Sequence, residues 1–270
     1  MAEARGPLAP YRAVLASRVR AQTAYRVSFA TDLAGTGLVS LVELAEIWVL
    51  FHNVPALGRL TFPAVLLVFG LAELTFATAD LLVGHLDNLP TYLREGTLDV
   101  FHLRPQPLLA QLATSDIALR RLTRILFGAG AVVAALVVND VELDARAVAV
   151  LLVAVPSGIA IYTAMFVWAG GAQFFLVHAA ETTNAFTYGG RYAGSQPASV
   201  WPGPARVVFG FLFPVAFTGY LPALLLLGLP GPDWLPTWLG WCAPVAALWM
   251  WMFALGTWRL GVRHYQGAGG

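Results

Sequence analysis

The sequence predicts an all-α integral membrane protein. The expected elements are six transmembrane helices, an N-terminal interfacial helix, a cytoplasmic helical element between spans two and three, and an extracellular re-entrant helical hairpin before the last span. Three observations lead there. Hydrophobic residues make up 58% of the 270 residues and charged residues only 11%, against roughly 25% charged in a soluble domain. Apolar stretches of the length that crosses a bilayer core, about 20 residues, recur along the chain. All 16 basic residues are Arg, and they gather on alternate connections. The whole chain, 1–270, reads as one membrane domain.

The N-terminal segment 1–26 is expected to be cytoplasmic or interfacial; its first 25 residues do not read as a signal peptide, because Arg12, Arg18 and Arg20 interrupt what would have to be an apolar core. Tyr11, Val14, Leu15, Val19 and Gln22 recur near helical spacing, which suits a helix lying on the membrane; a basic cytosolic tail is the alternative. Val27 to Phe51 is the first span and Phe62 to Val83 the second. The stretch 84–106 is polar. Helix resumes at Pro107, passes Arg120, Arg121 and Arg124, and crosses from Ile125 to Val138. Asn139 to Arg146 is a short acidic loop. Ala147 to Ala169 is the fourth span, bent at Pro156; Gly170 and Gly171 permit a turn, and Ala172 to Tyr188 runs back as the fifth. Gly189 to Arg206, rich in Gly, Pro and Ser, reads as a loop. Segment 207–229 is apolar but carries Pro214, Gly219 and Pro222, which favours a broken re-entrant pair of half-helices. Leu235 to Trp258 is the last span, with Trp residues as interfacial anchors.

Arginine placement sets the expected orientation. With the N-terminus inside, Arg5 to Arg26, Arg94 to Arg124, and Arg259 and Arg263 are cytoplasmic, and only Arg59, Arg146, Arg191 and Arg206 are outside. Both termini then lie in the cytoplasm; the bias to Ala, Arg, Gly, Pro and Val over Lys points to a GC-rich bacterial genome, and so to a bacterial inner membrane. Six crossings with a re-entrant hairpin satisfy that parity and seven do not.

The absence of Lys excludes a phosphate-binding G-x-x-x-x-G-K-[ST] loop and a Schiff-base lysine. A single Cys, Cys242, excludes an internal disulfide, and the five His are scattered without an H-E-x-x-H pair. No catalytic residue, metal site or nucleic-acid signal stands out. His85 with Asp87 forms a His-x-Asp pair of a kind common by chance, without a nucleophile to support an enzyme.

Acidic residues inside spans are costly in hydrocarbon and turn toward protein or water. On the first span Asp32 and Glu43, eleven positions apart, fall within about 20° of each other, and Glu46 lies on the same side. On the second, Glu73 and Asp80 share a face. Glu43, Glu46 and Glu73 are candidates for lining a path for cationic or amphipathic cargo. The alternative is that they bond arginines or neighbouring helices. Asp32 and Asp80, near the inner ends, and Glu181 in the fifth span are weaker candidates.

The sharpest local pattern is Leu89 to Pro105. Thr91 can cap a short helix with Leu93 apolar and Arg94 and Glu95 polar, and Gly96 can end it. Leu98, Phe101 and Leu103 offer an apolar face, and Arg104-Pro105 marks the next boundary. Such an element suits docking to a partner protein or folding back on its own bundle. Arg94-Glu95-Gly96-Thr97-Leu98-Asp99, then Leu103-Arg104-Pro105 and Gln111, resembles the signature of a bacterial type-2 ABC transporter permease family. Ala24-Tyr25-Arg26, the run Phe213-Pro214 through Phe217, Tyr220, Leu221, Pro222 and Ala223, and Trp258-Arg259-x-Gly261-x3-Tyr265 extend the resemblance over nearly the whole chain. His102 departs from it, standing where an aliphatic residue is usual.

The resemblance implies a type-2 exporter fold, with Tyr92, Leu93, Arg94, Glu95, Gly96, Thr97, Leu98, Asp99, Arg104 and Pro105 forming or flanking a coupling helix in an ATPase groove. It implies an extracellular re-entrant gate carrying Pro214, Phe217, Gly219, Tyr220 and Pro222. The expected partners are two cytosolic ABC ATPase subunits, which would hold the ATP and Mg, and a second permease, either a related chain or a second copy. Small residues on the first span, Gly35, Gly37, Ser40 and Ala45, allow close packing there. The expected cargo is a drug, natural product or other amphipath. An ion-coupled secondary transporter using Glu43, Glu46 and Glu73 is the alternative, although no internal inverted repeat is visible.

Overall fold

The computed structural model describes residues 9–24, 26–175 and 179–265; Arg5, Tyr25 and His178, one of the five His, lie outside them. The described residues are helical throughout the apolar segments, with no strands. Five helical stretches are long and apolar enough to cross a membrane, and a sixth candidate is bent by 67°. The chain is a multi-pass membrane protein.

Helix α1 (Ala9–Ala24) precedes α2 (Arg26–Asn53), the first span. The second is α3 (Phe62–Val83), with the bounds that apolarity alone predicts. Two short helices follow in the polar stretch, α4 (Leu89–Arg94) and α5 (Leu98–His102). They are separated at Gly96, whose φ of 67° is the left-handed conformation that glycine adopts without strain. Thr91 does not cap α4. The helix starts two residues earlier, with Pro90 in its first turn, where a missing N–H costs nothing.

The helix expected to run unbroken from Pro107 is in fact two. α6 (Leu108–Thr114) ends before a break at 115–120, and α7 (Arg121–Val138) starts afresh. The break is held from outside: the Gln22 side chain donates to Ile117 O and accepts from Leu119 N at 3.0 Å. At 1.5 Å per residue, α7 spans about 27 Å, close to the hydrocarbon thickness. α8 (Ala145–Gln173) is capped by Asp144, which accepts from Ala147 N at 2.7 Å, and contains Pro156.

Gly170 and Gly171 are not a turn. They lie inside α8, and a Cβ on Gly171 would stand 2.6 Å from the backbone nitrogen of Trp258. They are glycine because α12 (Ala243–His264) crosses there. The chain turns instead at Phe174 and Phe175, and α9 (Ala179–Gly194) runs back beside α8, with Thr183 near Gln173 and Gly194 against Tyr162. The helix expected as the fifth span is therefore shifted toward the C-terminus, and at 16 residues it is not one of the five long enough and apolar enough to cross. The segment expected as a loop from Gly189 is helical to Gly194, and Arg191 sits within the bundle rather than outside it.

The broken segment comprises α10 (Gly203–Val207), a π-helical turn at Val208–Leu212, a 3-10 turn at Val215–Phe217 and α11 (Tyr220–Leu227). Its two ends meet: Arg206 lies over the Trp234 ring at 5.6 Å, and Thr237 Oγ1 donates to Leu229 O at 2.8 Å. Its tip, Phe213-Pro214, is buried, with Phe213 4.6 Å from the Trp168 ring. A segment that enters and leaves at one end of the bundle with its apex on the core is re-entrant. Lipid-facing backbone could not be irregular there, but protein-enclosed backbone can.

α3 and α8 form the centre, side by side, with Thr75 against Gly158 and Phe76 against Tyr162 and Phe166. α7 packs on α3 through Gly128 and Gly70, and α12 packs on α8. The end where α1, α4, α5 and the C-termini of α8 and α12 gather is called the loop end below; the re-entrant segment marks the hairpin end.

Candidate functional site

Four helices converge on one charged cluster midway along the bundle. Glu73, eleven residues into α3 and 1% exposed, receives Arg124 Nε from α7 at 2.8 Å on one oxygen. Its other oxygen receives Arg191 from α9, through Nε at 2.9 Å and a terminal nitrogen at 2.8 Å. Arg191 also pairs with Glu43 of α2. Both guanidiniums lie 5.5–5.6 Å from the centre of the Phe76 ring, within cation–π range. Two carboxylates and two guanidiniums balance, which is how such charges persist at this depth. A turn and more toward the loop end, Arg121 Nε pairs with Asp80 at 2.8 Å.

Of the acids expected as path-lining residues, Glu43 and Glu73 are thus bridged by Arg191, and Glu46 stands apart. Glu43 is half-buried and tied to Arg191, Glu73 is enclosed, and Glu46 is exposed on the outer face of α2. Asp32 and Glu181 are also exposed. Arg191 and Arg124 were the residues that sequence reasoning missed. Arg191 follows Gly189-Gly190, which reads as a loop, and Arg124 reads as a cytoplasmic charge on the helix leading into the third span; an arginine one helical turn inside an apolar run was the available signal.

At the loop end, α4 and α5 form a small platform. Leu98 is fully buried and Phe101 packs on Tyr92 at 5.4 Å between ring centres, so these apolar groups face the bundle. Leu103, by contrast, is 85% exposed, and Val100, Arg94, Glu95, Thr97, Asp99, Arg104 and Pro105 are exposed around it. The expected apolar face therefore splits into a buried part that seats the element and an outward part that is free. Gln111, 6% exposed on α6, donates to Phe101 O at 3.0 Å and Gln106 O at 2.7 Å, fixing the end of α5. Tyr265, just past α12, donates to Asp99 at 2.9 Å and stacks on His102 at 5.9 Å. His102, which departs from the family pattern, is thus a stacking partner for the C-terminus. His85 and Asp87 serve as hydrogen-bond partners, His85 to Tyr92 at 2.7 Å and Asp87 from Tyr188 at 2.6 Å.

At the hairpin end Pro214, Phe217, Gly219, Tyr220 and Pro222 are all buried. A Cβ on Gly219 would lie 2.5 Å from Val68 O, so the turn into α11 rests directly on the α3 backbone.

The described residues thus form a helical membrane bundle with a buried charge cluster, a re-entrant segment and an outward-facing platform. Residues 38–269 match the model of the family described as ABC-2 family transporter protein, and the chain belongs to that family. It is the membrane-spanning permease component of an ABC-type transporter, working with ABC ATPase subunits and not itself an ATPase. No curated protein matches it, and no solved structure does.

Proposed function

We infer that this permease exports an amphipathic cargo, such as a drug or natural product, across the bacterial cytoplasmic membrane. Two copies of a cytosolic ATPase power it, and a second permease chain completes the path. The observation that carries this reading is the platform of Arg94, Glu95, Val100, Leu103 and Arg104. It is exposed outward yet seated on α6 and α12 by Gln111 and Tyr265. An exposed Leu ringed by charge, on a rigid base, is what a partner groove needs. ATP-driven closure of the ATPase dimer would push on this platform and bias the bundle between two arrangements. Both termini and the loop end lie in the cytoplasm in this reading. Arg121, Arg124 and Arg191 are all taken into ion pairs within the bundle, and the remaining arginines still favour the loop end as the cytoplasmic one.

The cargo path follows the outer face of α2. Glu46 and Glu43 border it, and Glu73 holds Arg191 behind them. The re-entrant segment, with Pro214, Phe217, Gly219, Tyr220 and Pro222, gates its outer end. Replacing Leu103 with Asp, or reversing Glu95 to Arg, is expected to leave membrane insertion intact while reducing co-purification of the ATPase at least tenfold. Full retention of assembly and transport would remove the docking assignment. ATP-dependent uptake of cargo into inside-out vesicles, absent in right-side-out ones, tests the direction.

A further inference from the structure

The loop end holds a polar cleft that neither the charged cluster nor the docking platform uses. α1 is clamped to the 115–120 connection: Arg18 Nε donates to Ser115 O at 3.0 Å, and Gln22 bonds both Ile117 and Leu119. Between this clamp and the base of α2 opens a cavity of about 440 Å³, lined among others by Arg18, Gln22, Phe29, Asp32, Asp116 and Arg120. A second cavity of about 280 Å³ shares Gln22, Asp32, Asp116 and Arg120 with it and extends to His85 and Asn88. Together they have the size of small-ligand sites, about 300–1,000 Å³.

The depth of the cleft is set by the helices around it. α3 ends at Val83, α7 starts at Arg121, and α2 has just begun at Asp32, so the cleft lies where the spans leave the hydrocarbon. Its charges balance, with Arg18 and Arg120 against Asp32 and Asp116. Arg121, on the wall of the second cavity, is taken by Asp80. Asp116 accepts from Ile117 N at 2.9 Å. The side chains of Asp32 and Arg120 make no hydrogen bond or ion pair among the described residues. A cation and an anion that have no hydrogen-bond partner among the described residues and face the same opening suit a ligand that carries both charges. At headgroup depth such a ligand is a lipid.

We propose that this cleft binds the headgroup of phosphatidylethanolamine, its phosphate on Arg120 and Arg18 and its ammonium on Asp32 and Asp116. The guanidinium is the side chain best matched to phosphate oxygens. The primary ammonium brings three N–H donors for the two carboxylates. Phosphatidylcholine carries the same two charges but no N–H. It would depend on aromatic faces, and among the described residues lining the larger cavity Phe29 is the one aromatic ring. Phosphatidylglycerol satisfies the arginines and leaves the carboxylates without a cation. The bound lipid touches α1, the 115–120 connection and α2 together, and so fixes the base of the least enclosed span.

The test uses the full chain assembled with its ATPase, in detergent, with lipids of matched acyl chains and native mass spectrometry as readout. Phosphatidylethanolamine is expected to be retained about tenfold more than phosphatidylcholine. Asp32→Asn with Asp116→Asn should abolish that preference and leave phosphatidylglycerol retention unchanged, whereas Arg120→Ala should lower retention of all three. Equal retention of the ethanolamine and choline lipids by the native chain overturns the proposal. So does a preference that survives the double substitution, or soluble glycerophosphoethanolamine competing as strongly as the whole lipid. Hydrogen exchange on the native chain needs no variant: residues 115–120 should exchange more slowly in nanodiscs of phosphatidylethanolamine than in those of phosphatidylcholine, and no difference counts against the site.

Discussion

α2 and α3 are successive spans of similar composition, yet they meet opposite environments. On α3, Val65, Leu67, Val68 and Leu71 are wholly enclosed by protein. On α2, Leu38, Val39 and Trp48 are 62%, 55% and 56% exposed, and Ser40 and Ile47 are the buried exceptions. An apolar sequence specifies that a helix crosses the membrane without specifying what covers it, because lipid and protein are equally apolar partners. α3 cannot shift without unpacking the bundle. α2 is fastened at few points, among them Gly37 against Thr123 and the Glu43–Arg191 pair, and its outer face is left for lipid or a second subunit.

The contrast breaks first at Glu73. Replacing it with Ala leaves Arg124 and Arg191 enclosed beside Phe76 without their shared anion, and losing one partner of a buried pair costs about 3–5 kcal/mol. Thermal unfolding in detergent should show this loss, with Glu73→Gln nearly as damaging because it keeps the shape and removes the charge. Native-like stability of both variants would mean that α3 is held by packing alone.

The next effect separates the two regions by size rather than charge. Gly171 is in contact with the backbone of Trp258, whereas a Cβ on Gly35 would meet nothing within 4 Å. Gly171→Ala should therefore cost about 1–3 kcal/mol by forcing α8 from α12. Gly35→Ala should cost nothing and gain the roughly 1 kcal/mol by which Ala exceeds Gly in a helix. Equal losses at both sites in the same unfolding assay would show α2 to be covered as α8 is.

Much of this was legible in the sequence, for reasons that also explain what was not. The bounds of α3 follow from apolarity, and the re-entrant segment follows from Pro214, Gly219 and Pro222. Gly170-Gly171 and Gly189-Gly190 were misread for one reason. Glycine signals a turn locally but also permits close helix approach, and only the partner decides: Trp258 for the first pair, Met165 beside Gly190 for the second. The break at 115–120 depends on Gln22, about 95 residues away in the chain, a dependence no local pattern carries. The acids were visible as suspects, but their pairing was hidden because Arg191 lay in a segment that reads as loop.

A smaller effect is expected at Glu43, the link between the two regions. Its pair with Arg191 is partly open, with side chains 25% and 15% exposed, and Arg191 keeps Glu73 when Glu43 becomes Gln. Stability should fall by about 1 kcal/mol or less. The sharper readout is position: spin labels at Leu38 and Tyr192, both exposed, should report a broader distance distribution in the variant. An unchanged distribution would place the fastening of α2 elsewhere, at Gly37 or at its base.

The smallest effect is expected where the loop end is braced. The Tyr265 hydroxyl donates to Asp99 at 2.9 Å, while its ring stacks on His102 and meets Phe174 at 6.0 Å. Burial and the Asp99 acceptor both push the phenol above its ordinary pKa, so it remains a donor at physiological pH. Tyr265→Phe removes one hydrogen bond and keeps the rings, a change of about 0.5 kcal/mol given how open the site is. Unfolding should shift by no more than that and ATPase assembly should be unaltered, while amide exchange at Leu98–His102 quickens and cargo moved per ATP falls. Tyr265→Ala, which also removes the stacking, should exceed it in both readouts. If neither variant changes exchange, α5 is seated by Leu98 and Gln111 alone, and the C-terminal end of α12 takes no part in holding the platform.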